Sequence, residues 1–213
     1  MNRLTIPIVL FATSAIAGCG SLMRDADIVG AQGEMAEPAA CCDSLAHIPF
    51  RPSGLGEDVE VVLNRTSPAF SFAEGKSFVS GIALPVVPAA AFSLTFRTFI
   101  SSGYLPGATV LVPKIACLDS TFSLISIQIP ERLLRGQEFV AGTYFEGSVQ
   151  LAPRTRYVVV LSDNIEGKPV TAVSSNGTPH SIPRAPVGKL KVLIRYASTG
   201  QTTRIKGAGG DGA

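Results

Sequence analysis

The stretch Phe92-Ser93-Leu94-Thr95-Phe96-Arg97 alternates apolar and polar side chains without a break. Successive side chains of an extended chain point to opposite sides. The order therefore puts Phe92, Leu94 and Phe96 on one face and Ser93, Thr95 and Arg97 on the other, a strand with one side in a core and one in water. Alternating apolar residues dominate the runs upstream, and further strand candidates lie downstream. Upstream lie Val59, Val61 and Leu63, then Phe70 and Phe72, then Ser77 to Leu84. Downstream lie Thr109 to Val112, Lys114 to Leu118, Phe122 to Ile129, Phe145 to Leu151, Tyr157 to Leu161 and Lys189 to Tyr196. Turn chemistry separates these runs at Glu74-Gly75, Ser102-Gly103, Pro106-Gly107, Asp163-Asn164 and Asn176-Gly177. Helical spacing is nearly absent, one turn around Glu131 to Arg135 aside. The stretch Ser174 to Pro186, with Pro179, Pro183 and Pro186, reads as an extended surface loop. Many short strands without alternating helices predict an all-β domain, an antiparallel β-sandwich of jelly-roll-like layout.

The ends of the chain read differently. Met1, Asn2 and Arg3 precede a mostly apolar run from Leu4 to Ala17, the layout of a secretory signal peptide and too short to cross a hydrocarbon core. It closes on Ile16-Ala17-Gly18-Cys19, which looks like a bacterial lipobox: an aliphatic residue, two small ones, and a cysteine whose thiol accepts lipid. Several acyl chains, at about 0.8 kcal/mol per buried methylene, anchor a protein stably. The expectation is a signal peptide over 1–18 and a membrane anchor through lipidated Cys19. Gly20 after the cysteine, in place of aspartate, points to the periplasmic side of the outer membrane. Residues 19–40 read as a flexible tether, 41–197 as the β-sandwich domain, and 198–213, with five glycines, as a disordered tail.

Hydrophobic content of 46% with 16% charged residues argues for a packed globule. A net charge of +2 and the lack of a basic stripe exclude a nucleic-acid partner. With Cys19 lipidated, Cys41, Cys42 and Cys117 remain in an oxidising compartment. The simplest pairing joins Cys117 to Cys41 or Cys42; a vicinal Cys41-Cys42 bridge is the alternative. These sulfurs and His47 lack any metal-ligand spacing, and nothing points to a cofactor.

A hydrolase needs a nucleophile, a base and an orienting group. His47 lies near Asp43 and Ser44 without a glycine-flanked nucleophile turn, and His180 sits in the proline-rich stretch. Both read as ordinary histidines. Glu131, Glu138 and Glu146 are carboxylates from which a glycosidase pair is easily drawn, but sequence sets no separation between them. Glu74-Gly75-Lys76-Ser77 lacks the upstream glycine and the helix of a phosphate loop, and reads as a hairpin. Asn64-Arg65-Thr66 and Asn176-Gly177-Thr178 match a glycosylation pattern that carries no weight beside a lipobox. With no tryptophan and only Tyr104, Tyr144, Tyr157 and Tyr196, a strong sugar-stacking platform is disfavoured, while a hydrogen-bonding site is not.

Taken in order, several short elements resemble the maltose operon periplasmic protein family from about Cys41 to Val192. They are Cys41-Cys42 with Ser44-Leu45, Ile48-Pro49-Phe50, Ser67-Pro68 with Phe70 and Phe72, and Gly75-Lys76-Ser77-Phe78 leading to Leu84-Pro85. Then follow Val110-Leu111-Val112-Pro113, Leu118-Asp119-Ser120-Thr121-Phe122, Phe145-Glu146-Gly147, Tyr157 to Leu161, Ser181-Ile182-Pro183 and Gly188-Lys189-Leu190-Lys191-Val192. The chain departs from the pattern in lacking the charged C-terminal helical extension and in carrying Cys117. The resemblance implies an envelope protein accessory to maltose or maltodextrin transport, without catalytic residues. It would act through weak oligosaccharide binding or contact with a transport component.

Overall fold

The computed structural model describes residues 40–73, 75–85, 91–162 and 167–197. The expected signal peptide with Cys19, the tether save Ala40, the Asp163-Asn164 turn and the tail lie outside them. Thirteen strands occur among the described residues. They are β1 (Phe50–Pro52), β2 (Asp58–Leu63), β3 (Ala69–Phe72), β4 (Gly75–Ala83), β5 (Phe92–Phe99), β6 (Pro113–Leu118) and β7 (Leu124–Gln128). The rest are β8 (Leu134–Glu138), β9 (Gly142–Gln150), β10 (Tyr157–Ser162), β11 (Val170–Val173), β12 (Pro179–Ile182) and β13 (Gly188–Tyr196).

They form an all-β sandwich of open sheets. Sheet I has the order β1-β4-β10-β6-β7, with β3 also on β4; sheet II has the order β2-β13-β5-β9-β8; β11 and β12 make a separate hairpin. Pairing is antiparallel except between β1 and β4, which run parallel. Alternation sets the layers. Phe92, Leu94 and Phe96 of β5, Val61 and Leu63 of β2, and Leu190, Val192 and Ile194 of β13 face Phe78 and Ile82 of β4, Ile115 and Cys117 of β6, and Val158 and Val160 of β10. The layer between the sheets is fully closed to solvent at most of these positions.

One end of the sandwich carries a second apolar cluster, in which Leu105, Val110, Val112 and Phe145 pack with Ala172 and Ile182 of the β11–β12 hairpin. At that end the buried Thr98 hydroxyl donates to the Leu111 carbonyl oxygen at 2.6 Å, so a polar group inside the core is satisfied.

Several expectations are corrected here. Thr109 to Val112 is not a strand; Val110 makes single bridges to Ile100 and Arg184. Ser174 to Pro186 is not a plain loop. Gly177, at a φ of 84°, turns the chain so that β12 pairs with β11 despite Pro179 at its start, a position where a missing N–H costs no ladder bond. Glu131 to Arg135 forms no helical turn, because Leu134 and Arg135 already belong to β8.

The disulfide is corrected too. Cys41 and Cys42 are bridged to each other, and Cys117 is a free, buried thiol. Parity along β6 explains it. Cys117 follows Ile115 into the layer between the sheets, whereas Ala116 and Leu118 face outward, where Cys42 packs with Ile48, Val159 and Leu161. Thiols whose Cβ vectors point to opposite sides of a sheet cannot be joined.

Candidate functional site

The outer faces of the two sheets differ. Sheet I is covered outside by the entry segment: Ile48 and Cys42, with Leu45 and Phe50, lie on Val79, Ala116, Leu118, Val159 and Leu161. Gly81 lets the segment approach, since a Cβ there would stand 2.7 Å from the Pro49 carbonyl oxygen and from the Phe50 ring. Cys42 Sγ lies 3.5 Å from the His47 carbonyl oxygen. A bridged sulfur has no proton to donate, so this is packing.

Sheet II presents charge. Arg97, in the middle of β5, lies opposite Lys191 of β13 and Glu146 of β9. Its Nε donates to Glu146 Oε2 at 2.8 Å and its Nη1 to Glu138 Oε1 at 3.1 Å; Lys191 Nζ donates to Glu138 Oε2 at 2.9 Å. Glu138 ends the edge strand β8, so the β8–β9 hairpin must curl over the sheet to meet β5 and β13. The Arg97 guanidinium sits 5.1 Å from the Tyr144 ring centre, and Lys191 Nζ 5.4 Å from that of Phe99. The hydrogen bond to Glu146 raises Arg97 above the ordinary guanidinium value against some burial, and Glu138 adds to it. Glu138 is lowered by its bonds to Lys191 and then Arg97. Beside this network a groove of about 350 Å³ runs between Asp58, Thr95, Arg97, Glu146, Lys191 and Arg195. It offers donors and acceptors of both signs, of which Arg97, Glu146 and Lys191 are held by their bonds to one another and to Glu138.

Of the three carboxylates singled out in the sequence, Glu138 and Glu146 are brought to the same guanidinium and Glu131 is not. Glycoside cleavage requires one carboxyl held protonated by a raised pKa, and Glu138 is shifted the other way. The two histidines stand apart, His47 exposed on the entry segment and His180 half-buried on β12. Among the described residues no three of His, Cys, Asp and Glu converge as metal ligands. Gly75-Lys76-Ser77 opens strand β4, as a hairpin reading requires. Both Asn-X-Thr sites cap turns: Asn64 Oδ1 accepts from the Thr66 N–H at 2.9 Å, and Asn176 Oδ1 from the Thr178 N–H at 3.3 Å.

Sequence reasoning missed an aromatic group at the far end of sheet I. Phe122 stacks on Tyr157 at 4.3 Å, and Phe50 meets Tyr157 at 4.8 Å and Phe122 at 5.5 Å. Phe122 stands at a φ of 63°, strained for a bulky residue, inside a turn closed by Asp119. Asp119 Oδ1 accepts from the Thr121 hydroxyl at 2.7 Å and from the N–H groups of Ser123 and Thr121, and these bonds, the hydroxyl's first, lower its pKa. The stacked rings close on one another and cover the sheet. The tip of the β8–β9 hairpin, by contrast, leaves Phe139 and Val140 fully exposed. In comparison with known proteins, the chain matches no family model, no curated protein and no solved structure.

Proposed function

We propose that this chain is a non-catalytic lipoprotein of the cell envelope, accessory to carbohydrate transport, that holds a maltodextrin-class ligand weakly in the polar groove of sheet II. The observation that carries the reading is the groove itself, where Arg97, oriented by two carboxylates and an aromatic ring, sets fixed donors and those carboxylates set acceptors on an open face. The sugar class comes from the family resemblance, and the envelope location from the lipobox at Cys19, whose lipid would hold the domain to the outer membrane. Hydrogen bonding without a tryptophan platform fits weak binding, since ring stacking is what usually supplies affinity for sugars. Contact with a transport component is a second mode, supported by Phe139 and Val140 at the hairpin tip.

The test is a thermal-shift titration of the full chain with maltodextrins, beside capture of transport components from the envelope. A ligand that binds the native state alone raises the melting temperature with its concentration. The expected result is a rise that Arg97→Ala removes, and a captured component that Phe139→Ser releases. No shift and no transport component, together with product from a glycan turnover assay, would overturn the reading.

A further inference from the structure

Strands β1 and β7 end sheet I, and β2 and β8 end sheet II. Each presents a row of backbone donors and acceptors on which another strand can add, and proteins block such rows with charge, proline or a covering segment. Three of these ends are blocked. β1 holds Arg51 and Pro52; β2 holds Asp58 and Glu60, and the Glu60 carbonyl oxygen is taken by Arg51 Nη2 at 3.0 Å; β8 holds Arg135 and Glu138. β3, on the same side as β1, is covered at Ala69, whose carbonyl oxygen accepts the Cys41 N–H at 2.7 Å.

Among the described residues β7 has no charge, proline or covering segment. Leu124-Ile125-Ser126-Ile127-Gln128 and the following Ile129 carry no charge and no proline, and Leu124, Ile125 and Ile129 are exposed by 47%, 36% and 51%. A register shift disturbs the Leu124 end of its pairing with β6, but Ser126, Ile127 and Gln128 lie in regular register with Cys117, Ala116 and Ile115.

We propose that β7 is the surface on which two copies of this chain join, edge to edge and antiparallel, into a two-fold dimer. Self-pairing sets a strand against its own sequence, where opposed like charges destabilise, and β7 is the sheet end without them. Continuity supports the same occupant. Ile127 packs on the outer apolar layer of sheet I, so a second β7 extends both the hydrogen-bonded sheet and that layer with the same isoleucines. Residues 198–213 hold one large aliphatic side chain, Ile205, among five glycines, a composition poor in strand-forming residues.

The experiment measures the mass of the full chain in mild detergent by light scattering and sedimentation, up to about 100 micromolar. Wild type is expected to go from monomer to dimer with concentration. Ile125→Lys with Ile129→Lys, at exposed positions, should weaken the dimer about tenfold or more while the circular dichroism stays unchanged. Val62→Lys, an exposed position on the β2 edge, should leave dimerisation intact. A wild type that stays monomeric throughout overturns the proposal. So does a dimer that ignores the lysines on β7, or one that Val62→Lys disrupts equally.

Discussion

The outer faces of sheets I and II share one sandwich and are built on opposite rules. Outside sheet I, a segment with little regular structure lies on aliphatic side chains and hides them, so the sheet is apolar on both sides. Outside sheet II, Arg97, Glu138, Glu146 and Lys191 meet in water, and their order comes from mutual hydrogen bonds. Burial drives the first arrangement. The second adds little stability, because exposed ion pairs are screened, but it holds the side chains in fixed positions.

The largest test of this contrast compares two leucines. Leu118 lies fully buried under the entry segment, whereas Leu193 lies half-buried on the outer face of sheet II. Leu118→Ala should cost about 2–5 kcal/mol in urea unfolding, and Leu193→Ala about 1 kcal/mol or less. Similar losses at both would erase the difference between the faces.

Two glycines sharpen it. A methyl at Gly81 would press on the Pro49 backbone as well as on Phe50, whereas at Gly136 it would meet the Tyr144 ring. A ring at a half-open surface can swing aside, and a carbonyl within a packed segment cannot. Gly81→Ala is expected to cost about 1–3 kcal/mol, and Gly136→Ala less while altering tyrosine fluorescence. Equal melting temperatures for the two variants would count against the rigidity assigned to sheet I.

The smallest effects belong to the charges. Arg97 is 42% exposed, so Arg97→Ala should cost only about 1 kcal/mol or less, and the loss should shrink with added salt. Glu138 has its pKa lowered on folding, so its contribution is complete above the ordinary carboxylate value of about 4.3 and is lost as pH falls through the folded-state value. Glu138→Gln should therefore be less stable than wild type near neutrality, and the two should converge in acid. A gap that persists in acid would show that Glu138 acts through shape rather than charge.

Much of the fold was legible in the sequence because a strand with one wet face writes its period into six residues. Phe92 to Arg97 lies within β5; Tyr157 to Leu161, within β10, is buried on both faces and shows instead as an unbroken apolar run. The β11–β12 hairpin escaped because prolines mask an edge strand that loses nothing by them. β8 escaped because Leu134, Gly136 and Glu138 lie on a solvated face and show no apolar alternation. The site was harder to read. Arg97 stands 41 residues from Glu138 and 49 from Glu146, so the carboxylates could be named individually but their shared partner could not. The cysteine pairing turned on the parity of Cys117 along β6, which depends on which side of that strand the entry segment covers.

The bridge between Cys41 and Cys42 also bears on how the chain matures. Neighbouring thiols stay close whatever the rest of the chain does, so their encounter does not depend on long-range folding, although the small ring they close restricts the peptide between them. Once the two sheets have met, the Cys117 thiol is closed off in the layer between them, where the Gln128 amide nitrogen lies 3.9 Å from its sulfur. Sheet closure thus withdraws the third sulfur from exchange, since a thiol that solvent cannot reach cannot attack the bridge between the other two.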